Sequence, residues 1–298
     1  MKKLTAILLM ICLLASLSCA AFADGDDGTQ GGEARYLSWL TARRVIQRDG
    51  LKGEFVKLGD YDLRMWVPEA LAPLDKDKLP SDDYITYFMD AGKSMEVGVQ
   101  VIEMGEGFTL QALEQQLGEM GLEDGGIYVI NGFYGLMAKS EEKDNLTVIL
   151  SSGETQAIAI SFYPVSDEKV FEMTKVMLAS LQPDTPALYN LADMIDTDLL
   201  LTVWGENRKV NFNEADSSIH IVMWDEGVNT DDIQRVNNWS VMKQDKLDLF
   251  SYYADSLKEL GAGDVHLILQ LAADTEDAAF LTIVDGEVVY DIMEDTAA

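Results

Sequence analysis

The chain has 298 residues and a formal net charge of −30 at pH 7, because 52 acidic residues outnumber 22 basic ones. A surface this negative repels phosphate backbones and anionic lipid headgroups, which argues against nucleic acid and membrane surfaces as partners. It favours a solvated acidic surface, a cationic partner or diffuse binding of cations.

The first 23 residues have the pattern of a signal peptide. Lys2 and Lys3 form a basic start, residues 4–17 form an apolar run, and residues 21–23 read Ala-Phe-Ala, a typical cleavage site. The run is too short to span a bilayer with ordinary flanks. We therefore expect a secreted, extracytoplasmic protein that begins at Asp24 and has no membrane insertion after the signal is removed.

The leader also holds the only two cysteines, Cys12 and Cys19. Cys19 leaves an alternative open, a lipid-anchored N-terminus, although Leu17 lies one place nearer to it than a lipoprotein signal expects. A chain cut after Ala23 has no thiol. It is therefore expected to lack disulfides, a cysteine nucleophile and cysteine-ligated metals.

Residues 24–52 are predicted to form an acidic, flexible lead-in followed by a helix over 34–49 that ends at Gly50. Four arginines lie in or beside this helix: Arg35, Arg43, Arg44 and Arg48. They form either an anion site or, as we expect, surface pairs with the protein's own carboxylates.

Residues 53–182 alternate in a way that predicts a sheet with helices packed on it. The predicted elements are strands at 54–58, 61–67, 84–89 and 95–104, a helix capped by Thr109, three strands between 127 and 163, and a helix reaching Leu181. Residues 72–83 are predicted to be a loop. Short hairpin turns join these strands, and Pro164 ends the last one. The pattern therefore indicates an antiparallel sheet in an α+β domain.

Short motifs in this region resemble a known fold. They are Gly53-Glu54-Phe55-Val56, the run 61–69, Asn131-Gly132-Phe133-Tyr134-Gly135 and the helix end Ala179-Ser180-Leu181. The region resembles the PsbP-like α/β/α sandwich, which photosystem II extrinsic proteins share with a Ran-binding nuclear import factor. The resemblance implies a binding or assembly module rather than an enzyme. No metal-binding histidine carries over, since this region contains no histidine.

Residues 183–190, which contain two prolines, are predicted to be a linker, and residues 191–298 a smaller α+β domain. Its predicted elements are strands at 199–204, 210–212 and 219–224, a short helix or loop at 230–239, a helix at 247–260, and strands at 265–271, 280–284 and 288–292. This half resembles a small domain of uncharacterised secreted bacterial proteins through Asn238-Trp239 and the hairpin at 281–291. No activity follows from that resemblance.

The chain contains two histidines, His220 and His266, each in a predicted strand. With Asp225 or Glu226 they could bind zinc, but no H-x-H or H-E-x-x-H spacing supports it. We expect each to be a strand histidine with one satisfied hydrogen bond. No nucleophile elbow, serine-lysine motif or phosphate-binding glycine loop occurs either. We therefore predict no catalytic residues, no cofactor and no metal ligands.

Two further groups leave alternatives open. Trp204, Trp224 and Trp239 lie at predicted strand ends or in a loop, where aromatic rings either contact a partner or complete the core. Clustered acids, Asp274, Glu276 and Asp277, suggest calcium binding as the second interpretation. The favoured interpretation is a non-catalytic binding or assembly module for an unknown protein or cell-envelope partner, with a cell-envelope hydrolase third.

Overall fold

The computed structural model describes residues 35–104, 109–119, 126–140, 143–151, 155–202, 207–225, 239–273 and 275–295. The predicted signal peptide, both cysteines and the acidic lead-in therefore lie outside the described residues. The chain divides into two compact units, one of which includes Ala42–Asp184 and the other Ser38–Thr41 and Thr185–Ala298. No helix in the described ranges is long and apolar enough to cross a membrane.

The first unit is built on an eight-stranded sheet and a separate two-stranded ribbon. Its strands are β1 (Arg35–Leu37), β2 (Gly53–Lys57), β3 (Arg64–Pro68), β4 (Leu71–Pro73), β5 (Tyr84–Asp90), β6 (Glu96–Glu103), β7 (Gly126–Ile130), β8 (Phe133–Ser140), β9 (Asn145–Ser151) and β10 (Gln156–Tyr163). Its helices are most of α1 (Trp39–Asp49), α2 (Leu110–Glu119) and α3 (Glu168–Ala179), with a 3-10 turn at Lys76–Lys78.

The strand order of the large sheet is β1-β7-β8-β9-β10-β6-β5-β4, and β2 pairs with β3. Every pairing is antiparallel except that of β1 with β7. The predicted antiparallel α+β sheet is therefore confirmed, with one parallel strand added at its edge.

Both faces of the large sheet are covered at its centre. Successive residues of β10, from Ala157 to Ile160, are all buried, although neighbouring side chains point to opposite faces. Ala157 and Ala159 belong to a core cluster with Leu110 and Leu113 of α2. The alternate face buries Ile158 and Ile160. The first unit is therefore a layered sandwich rather than a half-exposed sheet.

Helix α3 begins where its sequence requires. Asp167 lies just before it, and its carboxylate accepts hydrogen bonds from the amides of Lys169 at 2.9 Å and Val170 at 3.1 Å. These bonds satisfy amides that have no partner inside the helix. The apolar side of this predicted helix is buried at Val170 and Met177, as a core-facing helix requires.

Three sequence predictions for this unit are corrected. The first helix starts at Trp39 instead of Ala34, because residues 35–37 pair with β7 as an edge strand. The three strands predicted between 127 and 163 are four, since Asn131 and Gly132, with φ of 47° and 86°, form a two-residue hairpin turn. The predicted loop at 72–83 also contributes to the short edge strand β4.

The second unit contains a five-stranded sheet and, in its described residues from Thr185 onward, three helices. Its elements are α4 (Leu188–Thr202), β11 (Arg208–Asn213), β12 (Ser218–Asp225), α5 (Trp239–Glu259), β13 (His266–Ala273), β14 (Ala278–Val284), β15 (Glu287–Asp291) and α6 (Ile292–Asp295). The strand order follows the chain, and only β12 and β13 run parallel. Ile221, Leu269 and Ile283 have no exposed surface and form the centre of its core.

One predicted strand in this unit is wrong. Residues 199–202 form the last turn of α4, although they were expected to begin a strand. A short apolar run fits either structure, and here Leu199 continues the buried helical stripe of Leu191 and Ile195. The predicted helix at 247–260 is confirmed and starts earlier, at Trp239; most of the predicted helix or loop at 230–239 lies outside the described residues.

Candidate functional site

A β-bulge in β5 brings two tyrosines to one face of the large sheet. Tyr84 pairs with Gln100 and Tyr87 pairs with Gly98, with a register shift between residues 84 and 86. Without the bulge, positions 84 and 87 would point to opposite faces, because side chains alternate along a strand. The two rings instead meet edge to face, with centroids 5.2 Å apart and planes at 81°.

Gly98 of β6 lies directly against the rings of Tyr84 and Tyr87. A Cβ atom at this position would lie 2.5 Å from Cε1 of Tyr84 and 3.1 Å from Cε2 of Tyr87. Both distances are shorter than ordinary carbon–carbon contacts. The ring of Tyr84 can therefore lie against the sheet only because position 98 has no side chain.

A carboxylate and a third tyrosine complete the group. Glu96 lies two residues before Gly98 on β6 and is the register partner of Tyr163 on β10. The hydroxyl of Tyr87 donates a hydrogen bond to Oε2 of Glu96. We name Tyr84, Tyr87, Glu96 and Tyr163 the tyrosine cluster. Tyr87 is buried, and the other three members are half-buried.

Two hydroxyls of the cluster, those of Tyr84 and Tyr87, keep their protons. Burial, followed by interactions with Tyr163 and with the carboxylates of Asp83 and Glu96, raises the pKa of Tyr84 to about 12. Burial and then the hydrogen bond to Glu96 raise the pKa of Tyr87 above its ordinary value. The phenols of Tyr84 and Tyr87 are therefore neutral near pH 7.

The second unit contains a cleft of about 560 Å³ with a histidine–aspartate pair at its rim. Nδ1 of His266 lies 2.8 Å from Oδ2 of Asp285, whose Oδ1 accepts a hydrogen bond from the amide of Leu267 at 3.0 Å. The hydrogen bond and charge of Asp285 raise the pKa of His266. Phe250 and Leu257 of α5 form part of the apolar wall.

This pair is not joined to a nucleophile. Ser218 is the register partner of His266 on the neighbouring strand. Its hydroxyl, however, donates to Oδ1 of Asp216 at 2.6 Å. Serine catalysis needs a hydrogen bond between the serine and its base, and none joins Ser218 to His266 among the described residues.

The two histidines considered as an alternative zinc site are not direct partners in the sheet. His220 and His266 lie on adjacent parallel strands, displaced by two residues from direct pairing. His266 has the expected hydrogen bond, whereas Nε2 of His220 is buried without a partner, which corrects that expectation. The described ranges contain no group of three His, Cys, Asp or Glu residues suited to a metal. Glu226 and the side chain of Asp225 lie outside them.

The tryptophans separate into different environments. Trp239 is buried, and its Nε1 donates to Oδ2 of Asp291 at 3.1 Å, so it completes the core. Trp224 is half-buried, and Trp204 lies outside the described residues.

One arginine of the predicted patch and one acid of the predicted cluster form ion pairs within the chain. Arg48 pairs with Asp49 at 2.7 Å, as expected of a surface arginine, and Arg43 is buried. In the acidic cluster, Glu276 pairs with Lys209 at 3.0 Å. Asp277 is exposed, and Asp274 lies outside the described residues.

Comparison with known proteins gives likeness of fold alone. No protein-family model and no curated protein matches the chain. The chain is similar in fold to PsbP. The solution structure of cyanobacterial PsbP (CyanoP) from Synechocystis sp. PCC 6803 is 13% identical and covers 52% of this chain and 98% of its own, with a TM-score of 0.31.

Two other solved structures are similar. The Ran-binding protein Mog1p of Saccharomyces cerevisiae is 10% identical and covers 45% of this chain and 96% of its own, with a TM-score of 0.29. A protein from Bacteroides thetaiotaomicron VPI-5482 is 12% identical and covers 78% of this chain and 87% of its own, with a TM-score of 0.29. At these identities and scores, the likenesses carry no argument about function.

Proposed function

We propose that this protein is an extracytoplasmic, non-catalytic binding module whose first unit contacts its partner at the tyrosine cluster. The observation that carries the proposal is the bulge in β5, which gathers Tyr84 and Tyr87 above Gly98 and beside Glu96. Tyrosine offers a large apolar ring and a polar hydroxyl at low entropic cost, and it is enriched at binding surfaces.

Export is supported by the leader at residues 1–23, whose charged start, apolar run and Ala-Phe-Ala end fit a cleaved signal. A non-catalytic role is supported by the second unit, where the hydroxyl of Ser218 is held by Asp216 instead of His266. The neutral phenols of Tyr84 and Tyr87 likewise favour contact over acid–base chemistry.

Site-specific photo-crosslinking tests this proposal in cells that express the protein and export it. A photo-reactive residue at Gln100, beside Tyr84 in the sheet, reports on the cluster, and one at Tyr134, which is 62% exposed in the same unit, is the matched control. We expect a discrete adduct from position 100 that Gly98→Ala abolishes. Equal adducts from both positions, or no adduct from position 100, would contradict the proposal.

A further inference from the structure

We infer that the tyrosine cluster recognises an organic ammonium group, an inference that rests on the proposed binding function. The cluster combines three electron-rich rings with one carboxylate on a single face of the sheet. A cation over the face of an aromatic ring, within about 6 Å of its centroid, is attracted by the ring quadrupole. The rings of Tyr84 and Tyr87 meet edge to face with centroids 5.2 Å apart, so two ring quadrupoles lie together beside the carboxylate of Glu96.

Three other aromatic rings of the first unit, those of Phe55, Tyr128 and Phe171, have a cation from their own chain. The guanidinium of Arg64 lies 4.8 Å from the ring centroid of Phe55, and that of Arg35 lies 5.5 Å from the centroid of Tyr128. Lys175 lies 4.9 Å from the centroid of Phe171.

The tyrosine cluster differs from these rings. Within the described part of the chain, no lysine or arginine stacks on its rings or forms an ion pair with Glu96. The polar contact that Glu96 makes is with the hydroxyl of Tyr87. The described residues supply no cation to this cluster, and the net charge of −30 favours the approach of one from outside the chain.

The donor set selects an organic ammonium over a metal ion. Calcium takes about six to eight oxygen ligands, usually with several carboxylates, and magnesium requires a near-octahedral oxygen set. The cluster offers one carboxylate and three phenols, and no group of three metal-binding side chains occurs in the described ranges. An alkylated ammonium suits it better, because its methyl or methylene groups contact the rings while its charge faces Glu96.

Two sources share this chemistry: a small quaternary amine and a lysine side chain of a partner protein. Calorimetric titration of the exported chain at constant ionic strength separates them. One arm uses tetramethylammonium chloride and the other a lysine-rich peptide, each against an equal concentration of sodium chloride. Saturable binding in either arm fits the inference, and the arm that binds identifies the source.

Three variants locate the binding. Glu96→Gln removes the charge, and Gly98→Ala pushes aside the ring of Tyr84, a side-chain end that can move without unfolding the sheet. Gly135→Ala is the matched control, a buried glycine of the same sheet where a Cβ would meet Leu150 at 2.9 Å instead of the cluster. We expect both cluster variants to bind about tenfold or more weakly and the control to bind like the wild type.

Some outcomes overturn the inference. They are the absence of binding in both arms, undiminished binding by Glu96→Gln, and displacement of the ammonium by stoichiometric calcium. Thermal melts establish that each variant is folded. If Gly98→Ala unfolds, the result of Glu96→Gln, a substitution at a half-buried position, decides the test by itself. If neither ammonium compound binds but position 100 still gives a crosslink, the binding function is retained and the ligand is of another class. Failure of both removes the site.

Discussion

Tyr253 donates a hydrogen bond from its hydroxyl to Oδ2 of Asp198 at 2.9 Å, and neither residue has exposed surface. The other carboxylate oxygen accepts from the hydroxyl of Thr41 at 3.0 Å. All three residues belong to the second unit. A buried carboxylate is tolerated only when its oxygens have hydrogen-bond donors, so these contacts hold α4 and α5 in one arrangement.

Tyr253→Phe should therefore destabilise the protein. It removes a donor to a buried charged group, a loss of about 1.5–3 kcal/mol in the free energy of unfolding. Urea denaturation measures it. The matched control is Tyr189→Phe in the same unit, where the side chain is 48% exposed and the expected change is within about 0.5 kcal/mol. Equal effects of the two variants would show that the Asp198 contact does not stabilise the unit.

Asn131 contributes to stability through its side-chain hydrogen bonds and through its left-handed backbone conformation, and two substitutions can separate these contributions. Its Nδ2 donates to the carbonyls of Ala179 at 2.7 Å and Leu181 at 2.8 Å, and its φ is 47°. Asn131→Gly removes the hydrogen bonds but accepts the left-handed backbone, whereas Asn131→Ala loses both. We expect the glycine variant to lose about 1–3 kcal/mol of unfolding free energy and the alanine variant about 1 kcal/mol more. If the alanine variant is as stable as the glycine variant, the left-handed backbone conformation at position 131 does not contribute to stability as we expect.

Asp291 should make stability sensitive to acid. Burial by itself raises the pKa of Asp291, but hydrogen bonds from Lys243, Trp239 and the Met293 amide outweigh burial and lower it below the ordinary 3.8. A carboxyl whose pKa is lower when folded adds stability above its unfolded value, and this is lost as the pH falls through the folded value.

Asp291→Asn should therefore flatten the loss of stability below about pH 4, as measured by urea midpoints at several pH values. Asp255→Asn, at an exposed position of α5, is the control and should leave that slope unchanged. If the Asp291→Asn variant loses stability at acid pH as steeply as the wild type, Asp291 is not the source of the acid sensitivity.

His266 should titrate at a raised pKa because of Asp285. Proton NMR resolves this directly, since the chain has two histidines. Asp285→Asn removes the hydrogen bond and the charge that raise the pKa, so the titration of His266 should move to lower pH. In the wild type the pair stabilises the fold at low pH, and this contribution is lost as the pH rises through the folded pKa. An unmoved titration would mean that the contact does not form in solution.

The sequence predicts the parts of this fold that depend on local periodicity. Strands such as β9 and β10 alternate clearly, and α3 has a capping aspartate before an apolar stripe, so both were predicted. The secondary structure is predicted wrongly where contacts between distant parts of the chain determine it. Residues 35–37 become a strand because β7 offers an edge, and residues 199–202 stay helical because Leu199 completes a buried stripe.

The tyrosine cluster was missed for a related reason. Period-two alternation assigns Tyr84 and Tyr87 to opposite faces, and only the bulge in β5 reverses this. Glu96 and Tyr163 are 67 positions apart, so their pairing depends on a register that periodicity does not fix. The one available signal was Gly98 inside a strand pattern, which typically marks a bulge or a close approach.

The most direct test of the binding site follows the tyrosine rings themselves. NMR spectra of the exported chain with labelled tyrosines, recorded while tetramethylammonium chloride is added at constant ionic strength, report each ring separately. The account predicts saturable shifts for Tyr84, Tyr87 and Tyr163 and none for the exposed Tyr134. Unchanged spectra, or equal small shifts for all 11 tyrosines, would contradict it.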